Sequence, residues 1–387
     1  MQRTPTPAVT DQLRVAEFFA GIGLVRAGLE DAGFKVVWAN DYEPSKKEMY
    51  EGNFGTDGHE FALGDVAKVK AKDLPESIDL AWASFPCTDL SLAGDRKGMA
   101  GKQSSTFYEF ARIISEMEEA KPRVIALENV HGLATSHGGD DIAALVKRLN
   151  ILGYSVDVMA IDARRFLPQS RPRIFIVGTT EVPEQDTQAI SDLRPAWLQS
   201  IFEDPTLRTH RAKIADLPNY LVGGLGVYAE KIPKNDVRWW DEERSKRFLE
   251  SLSPIQESRL STLMEAETDS YRTAYRRTRH GIPVWEIRAD EVSGCLRTAR
   301  GGSSKQAVVV AGRGRVKVRW MTPLEYARLM GAGDYNLTGL RDNQILFGFG
   351  DAVCVPAVKW LADNYLEPLL KGTLGTTESV AKESLVK

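Results

Sequence analysis

Apolar residues in the first half of the chain fall in short unbroken runs: Leu13 to Phe19, Val36 to Ala39, Ile78 to Ser84, Val124 to Glu128, Tyr154 to Ile161 and Ile174 to Val177. Runs of this length, bounded by Gly, Pro and polar residues, are the pattern of strands covered on both faces. Between the first two, Leu24, Val25, Leu29 and Ala32 recur at helical spacing until Gly33 closes the helix. Further helical stretches are Ser105 to Ala120 and Asp140 to Leu152. Strands alternating with helices predict an α/β fold with a doubly wound, mostly parallel sheet. Around Glu181 the alternation dissolves, and a smaller, irregular, β-rich unit is expected from there to about Val318. Within it Trp239 to Glu267 reads as polar and helical, and Val292 to Val318 as short strands joined by Gly301-Gly302 and Gly312-Arg313-Gly314. Thr322-Pro323-Leu324-Glu325 supplies an N-cap, a proline at the first helical position and a capping-box glutamate, starting a helix through Met330. An amphipathic helix, Pro356 to Leu370, follows. Residues 1–12 and 371–387 are expected to be flexible.

With 387 residues, 43% of them hydrophobic, the chain can bury one large core and a smaller one. No run of about 18 apolar residues is apparent and the N-terminus is a polar Thr-Pro stretch, so no membrane span or signal peptide is expected and a cytoplasmic protein is. Cys87, Cys295 and Cys354 show no C-x-x-C spacing, which argues against a disulfide framework or structural zinc. The net charge of -3 is unevenly spread: residues 271–320 carry twelve Lys/Arg against three acids, a local excess of nine, leaving -12 elsewhere. With Tyr271, Tyr275 and Trp285 interspersed, that segment reads as a phosphate-facing surface, with Arg276 and Arg277 among its contacts.

Three clusters carry chemistry. Phe19-Ala20-Gly21-Ile22-Gly23 is a glycine turn between the first strand and helix, where backbone amides can approach a ligand closely. Asp41-Tyr42 ends the second strand twenty residues beyond Gly21, where an acid binds ribose hydroxyls and Tyr42 could stack on adenine. Asp65, followed by Val66, stands where a third strand would end. Together they indicate an adenosine cofactor, and the missing third glycine leans away from a pyrophosphate. Second, Pro86-Cys87 follows the run Ile78 to Ala83, so a strand delivers a thiol to the sheet's carboxyl edge, where such folds bind ligands. Third, Glu128 in Leu127-Glu128-Asn129-Val130 would bring a carboxylate to the same edge.

With Gln169-Ser170-Arg171-Pro172-Arg173, the Thr322 to Gly331 helix and Gly350-Asp351-Ala352-Val353 completing the order, the chain resembles the C5-cytosine-specific DNA methyltransferases over residues 13–180 and 292–366. The resemblance implies a Rossmann-like methyltransferase domain binding S-adenosyl-L-methionine over 13–188, a target-recognition domain over 189–318 and a return to the catalytic domain over 319–370. It implies Cys87 as nucleophile on C6 of a flipped cytosine, Glu128 at N3, and Arg171 and Arg173 beside the base. Phe19, Gly21, Ile22, Gly23, Asp41, Tyr42, Asp65, Val66, Pro86, Asp351 and Val353 would line the cofactor. Arg297, Arg300, Gly301 and Gly302 resemble the recognition-loop signature, and no metal is implied. The partner implied is double-stranded DNA, bound as a monomer, with a cognate nuclease or phage-defence proteins as possible companions. The chain departs from the family in Thr88-Asp89-Leu90, in Asp351 for the usual Asn and in Cys295 for a frequent Thr. Alternatives are a tRNA cytosine-5 methyltransferase of the same family, a nucleotide-dependent oxidoreductase with a redox Cys87, and a silent DNA-binding relative.

Overall fold

The computed structural model describes residues 12–86, 106–279, 281–298 and 305–374. Seven strands form one sheet: β1 Arg14–Phe18, β2 Lys35–Asp41, β3 Glu60–Leu63, β4 Leu80–Ala83, β5 Val124–Val130, β6 Ser155–Asp162 and β7 Pro172–Thr179, in the order β3-β2-β1-β4-β5-β7-β6. The pairs along β3-β2-β1-β4-β5 are parallel. β7 lies between β5 and β6 and runs antiparallel to both. Only the short stretch 163–171 joins β6 to β7, too little for a crossover helix, so the chain can only double back. That reversal is what makes the sheet mostly rather than wholly parallel, and it puts the start of β7 at the carboxyl edge of its neighbours.

The strands read as continuous apolar runs because both faces are covered. One core contains Ala16, Phe18, Ala81 and Ile125 with Phe107, Phe110 and Ile114 of the helix Thr106–Glu116 and Ile142 and Leu145 of the helix Asp140–Ile151. The opposite core packs Val15, Leu80, Trp82 and Val124 against Leu29, Val358, Leu361 and Tyr365. The stretch Asp342–Lys371 is long and apolar enough by composition to cross a membrane, with mean hydropathy 1.5, but 67% of its apolar window is buried in the protein.

A second sheet contains β8 Ser270–Arg279, β9 Ile282–Ile287, β10 Ala307–Gly312 and β11 Arg315–Trp320, all antiparallel, in the order β11-β10-β8-β9. The pair β10–β11 and its Gly-Arg-Gly turn follow the sequence pattern, whereas the hairpin β8–β9 lies in a stretch where no regular alternation is visible. On one face, Ala274, Ile287, Ala307 and Val309 pack on Phe248 of the helix Glu242–Glu250 and Leu260 of the helix Pro254–Glu265. On the other, Val308 joins Ile22, Leu24, Tyr326 and Phe349, seating the sheet on the larger unit. The capping box at Thr322 forms as expected: Thr322 accepts from Glu325 N and Glu325 accepts from Thr322 N, starting the helix Pro323–Leu329. Beyond the helix Glu367–Lys371, Leu374 still packs on the core, so the expected flexible tail does not begin at 371; residues 375–387, like 1–11, lie outside the described residues.

Candidate active site

β5 carries Glu128 to the carboxyl edge, and the reversed β7 brings Arg173 beside it, with Val130 opposite Arg173 in register. Arg173 Nε lies 2.9 Å from Glu128 Oε1, and the carboxylate is 7% exposed. Burial pushes the Glu128 carboxyl above its ordinary range, opposed by Arg173, Arg171 and a hydrogen bond from Ser84. The acid therefore keeps a proton to higher pH than a solvated glutamate, as a donor to a ring nitrogen must. Ser84 follows β4, and Asn129 Nδ2 donates to Phe85 O at 3.1 Å, tying the segment that ends at Pro86 to β5. Cys87 lies outside the described residues, as do Arg300, Gly301 and Gly302.

Arg171, expected beside the reacting base, is bonded to backbone. It is 1% exposed and clamps three backbone carbonyls: Nη1 donates to Leu296 O at 2.7 Å, and Nη2 to Gly350 O at 3.1 Å and Ala352 O at 2.6 Å. Its guanidinium joins Leu296 to Gly350 and Ala352 at the end of the helix Asp342–Asp351. Cys295, absent from the sequence-based site, lies 3.5 Å from Arg171 Nη1. Burial would raise its thiol, but Arg171, Arg173 and Arg297 more than reverse this and lower it. The one available signal was its place where the family often has threonine.

At the other end of the edge, Phe19, Gly21 and Gly23 all have positive φ, 57°, 57° and 81°. A Cβ on Gly23 would stand 2.4 Å from the Phe54 ring, so only glycine fits that turn. Asp41 is 5% exposed; its carboxylate accepts from Gly21 N and Glu43 N, both at 2.9 Å. It thus holds the glycine turn in place at the sheet edge. Tyr42 presents a ring 60% exposed. Asp65 is exposed and caps a short turn through Ala67 N. Ile22, Val66 and Val353 point into the core. Asp351 is paired to Lys46 at 3.3 Å. A glycine turn open to a ligand, an acid behind it and an exposed tyrosine ring fit the adenosine part of a nucleoside cofactor.

Among the basic residues, Arg277 is held by Glu286 at 3.1 Å, whereas Arg276 is exposed and has no carboxylate partner among the described residues. Arg297 is exposed, and its backbone crosses so close to Gly350 that a Cβ there would stand 2.5 Å from Arg297 C. No group of three or more metal-ligating side chains occurs among the described residues.

A model of the C-5 cytosine-specific DNA methylase family matches residues 13–367. The type II methyltransferase M.Bsp6I of Bacillus sp. (strain RFL6) is 27% identical over 364 residues, covering 92% of this chain and all of the relative. M.BsuFI of Bacillus subtilis is 36% identical over 168 residues, 43% of this chain but only 39% of the relative. Among solved structures, the Dnmt2 methyltransferase of S. pombe superposes with a TM-score of 0.58 at 16% identity, covering 94% of this chain and all of that one, a likeness of fold. The chain belongs to the C-5 cytosine-specific DNA methylase family, whose methyl donor is S-adenosyl-L-methionine.

Proposed function

We propose that this protein methylates C5 of a cytosine flipped out of a specific duplex DNA sequence, through a covalent bond between Cys87 and C6. The observation that carries the reading is Glu128, buried and raised in pKa, held against Arg173 at the strand edge to which Asn129 ties the segment ending at Pro86. C5 of cytosine is not nucleophilic until C6 is saturated. The Cys87 thiolate adds to C6 while Glu128 gives its proton to N3, so no full negative charge builds on the ring. The electron pair released to C5 takes the methyl group; the C5 proton then leaves to a water at the site, the C6–S bond breaks, the thiolate departs and the N3 proton returns to Glu128. Arg173 holds the Glu128 carboxylate and contacts the base oxygen, while Arg171 fixes the strand start that carries it. Gly21, Asp41, Tyr42, Asp65 and Asp351 would hold S-adenosyl-L-methionine, which supplies an electrophilic methyl group. C6 is shielded inside a duplex, so the base must leave the stack.

Residues 13–188 and 319–370 serve as the catalytic domain and 189–318 as the recognition domain, acting as a monomer on DNA. The type II names of the relatives support a role in restriction-modification or phage defence. The test is a duplex carrying 5-fluorocytosine at the target, located by bisulfite sequencing of host DNA. Fluorine cannot leave as a proton, so the wild type should yield a denaturation-stable adduct and Cys87→Ser none. An adduct of undiminished yield in Cys87→Ser would remove the nucleophile from its role.

A further inference from the structure

Much of the basic excess of residues 271–320 is neutralised within the fold. Arg272 is bridged to Glu291 at 2.7 Å, Arg277 and Arg279 to Glu286 at 3.1 and 2.5 Å, Arg288 to Asp290 at 2.8 Å and Arg315 to Asp269 at 3.3 Å. Arg319 is buried against Glu325 at 2.5 Å. Three cations without a carboxylate in ion-pair distance among the described residues stand together instead: Arg244, Arg276 and Lys305. They share an aromatic floor. Trp240, Trp285 and Trp320 have ring centroids 5.1 to 5.7 Å apart. The Arg244 guanidinium lies 4.4 Å from the Trp240 centroid and 4.9 Å from that of Trp320, and the Lys305 ammonium lies 5.5 Å from Trp320. Arg276 stands opposite Trp285 in the β8–β9 register, on the same face of the sheet.

Burial lowers the pKa of both Arg244 and Lys305; Arg247 and Arg276 add to this at Arg244, and Arg244 adds to it at Lys305. Among the described residues Asp241 and Asp342 oppose these effects. Like charges held close on an apolar floor repel one another, and an anion placed among them relieves that repulsion. The rings abut edge-on or tilted and carry the cations, so they are not free platforms on which bases could stack. Lys305 also follows Arg297 by eight residues, and the residue before Arg297, Leu296, is clamped by Arg171.

We propose that Arg244, Arg276 and Lys305, seated on Trp240, Trp285 and Trp320, grip the phosphate backbone of the duplex and do not read its sequence. This rests on the duplex-DNA reading above. The test is the triple variant Arg244→Gln, Arg276→Gln, Lys305→Gln, with a random-sequence duplex of about 30 base pairs titrated by fluorescence anisotropy between about 50 and 200 mM salt. Each lost phosphate contact lowers the slope of log affinity against log salt by about 0.9, so the triple variant should lose roughly two to three units of slope and about tenfold or more in affinity at the lowest salt. S-adenosylhomocysteine affinity should hold at the wild-type value, and bisulfite sequencing of host DNA should show the same motif methylated to a lower extent. A wild-type protein that binds duplex beside a triple variant of equal slope overturns the grip and leaves the methyltransferase reading standing. A wild-type protein that ignores duplex and binds tRNA overturns the reading beneath it. If the triple variant loses cofactor affinity, exposed Arg276→Gln alone decides: a slope reduced by about one supports the grip, an unchanged slope overturns it.

Discussion

A carboxylate that is 1% exposed and has no close hydrogen-bond partner for either oxygen among the described residues, as at Glu17 in β1, is destabilised in its ionised form. Burial pushes its pKa up to about 8, only partly opposed by Arg26. The folded state therefore holds this proton more tightly than the unfolded chain. The stability it contributes is fully present below the ordinary value of 4.5 and is lost as pH rises through about 8. Glu17→Gln cannot ionise, so it should gain on the wild type by about 1.4 kcal/mol per pH unit across that window. Urea unfolding at pH 5.5 and 7.5 reads this directly; parallel stabilities would mean that Glu17 is ionised in the fold. Asp41 poses the opposite case, a carboxylate already serving two backbone amides. Asp41→Ala removes those acceptors and the proposed ribose contact together, and should weaken S-adenosyl-L-methionine binding by about 10- to 100-fold while moving DNA binding little. Calorimetry checks it, and unchanged cofactor affinity ends the ribose assignment.

Between elements, one close approach is where the backbone at Arg297–Thr298 passes over Gly350 at the end of the helix Asp342–Asp351. A Cβ at 350 would lie 2.5 Å from two backbone atoms, which cannot swing aside as a side-chain tip can. Gly350→Ala should cost about 1 to 3 kcal/mol of stability and, because Arg171 clamps Gly350 O and Leu296 O at once, weaken cofactor and DNA binding together. Thermal melts and both affinities measure it; a variant weakened for one ligand only would show that the two sites are not joined here. The Thr322 cap was legible in four adjacent residues because its hydrogen bonds are local. Likewise the two-sided burial of β1, β4 and β5 wrote itself as apolar runs. The hairpin β8–β9 was not legible: only its base is covered on both faces, and its outer half is arginine-rich and exposed. Nor could sequence orient Arg171, since its three carbonyl partners lie 125 to 181 residues away.

Residues 335–351 meet the first β-α-β unit at the edge proposed to hold the cofactor. The Tyr335 hydroxyl lies 2.8 Å from both Ile22 O and Met49 O and shares its one hydrogen between them, and Gln344 Nε2 donates to Glu48 at 2.8 Å, drawing 335–351 onto the glycine turn and the helix Pro44–Phe54. Lys46 completes this seam, reaching Asp351 where the family usually has asparagine. Burial alone would lower the Lys46 ammonium, but Asp41, Asp351 and Glu43 hold its pKa above the ordinary lysine value, so it stays charged among three acids. The extra carboxylate at 351 and the lysine at 46 thus compensate one another, and their effects on cofactor binding should not be additive. Lys46→Gln leaves Asp41, Glu43 and Asp351 to repel one another, which loosens the Asp41 carboxylate from its backbone donors. Asp351→Asn removes one of those acids and should rescue part of the loss. Because Asp351 is about half exposed, solvent screening limits the coupling to about 0.5 to 1 kcal/mol, a two- to fivefold effect on the S-adenosyl-L-methionine dissociation constant. A calorimetric double-mutant cycle at low and high salt measures it: the coupling should shrink as salt rises, and singles whose effects simply multiply in the double variant would show that Lys46 and Asp351 act on the cofactor independently.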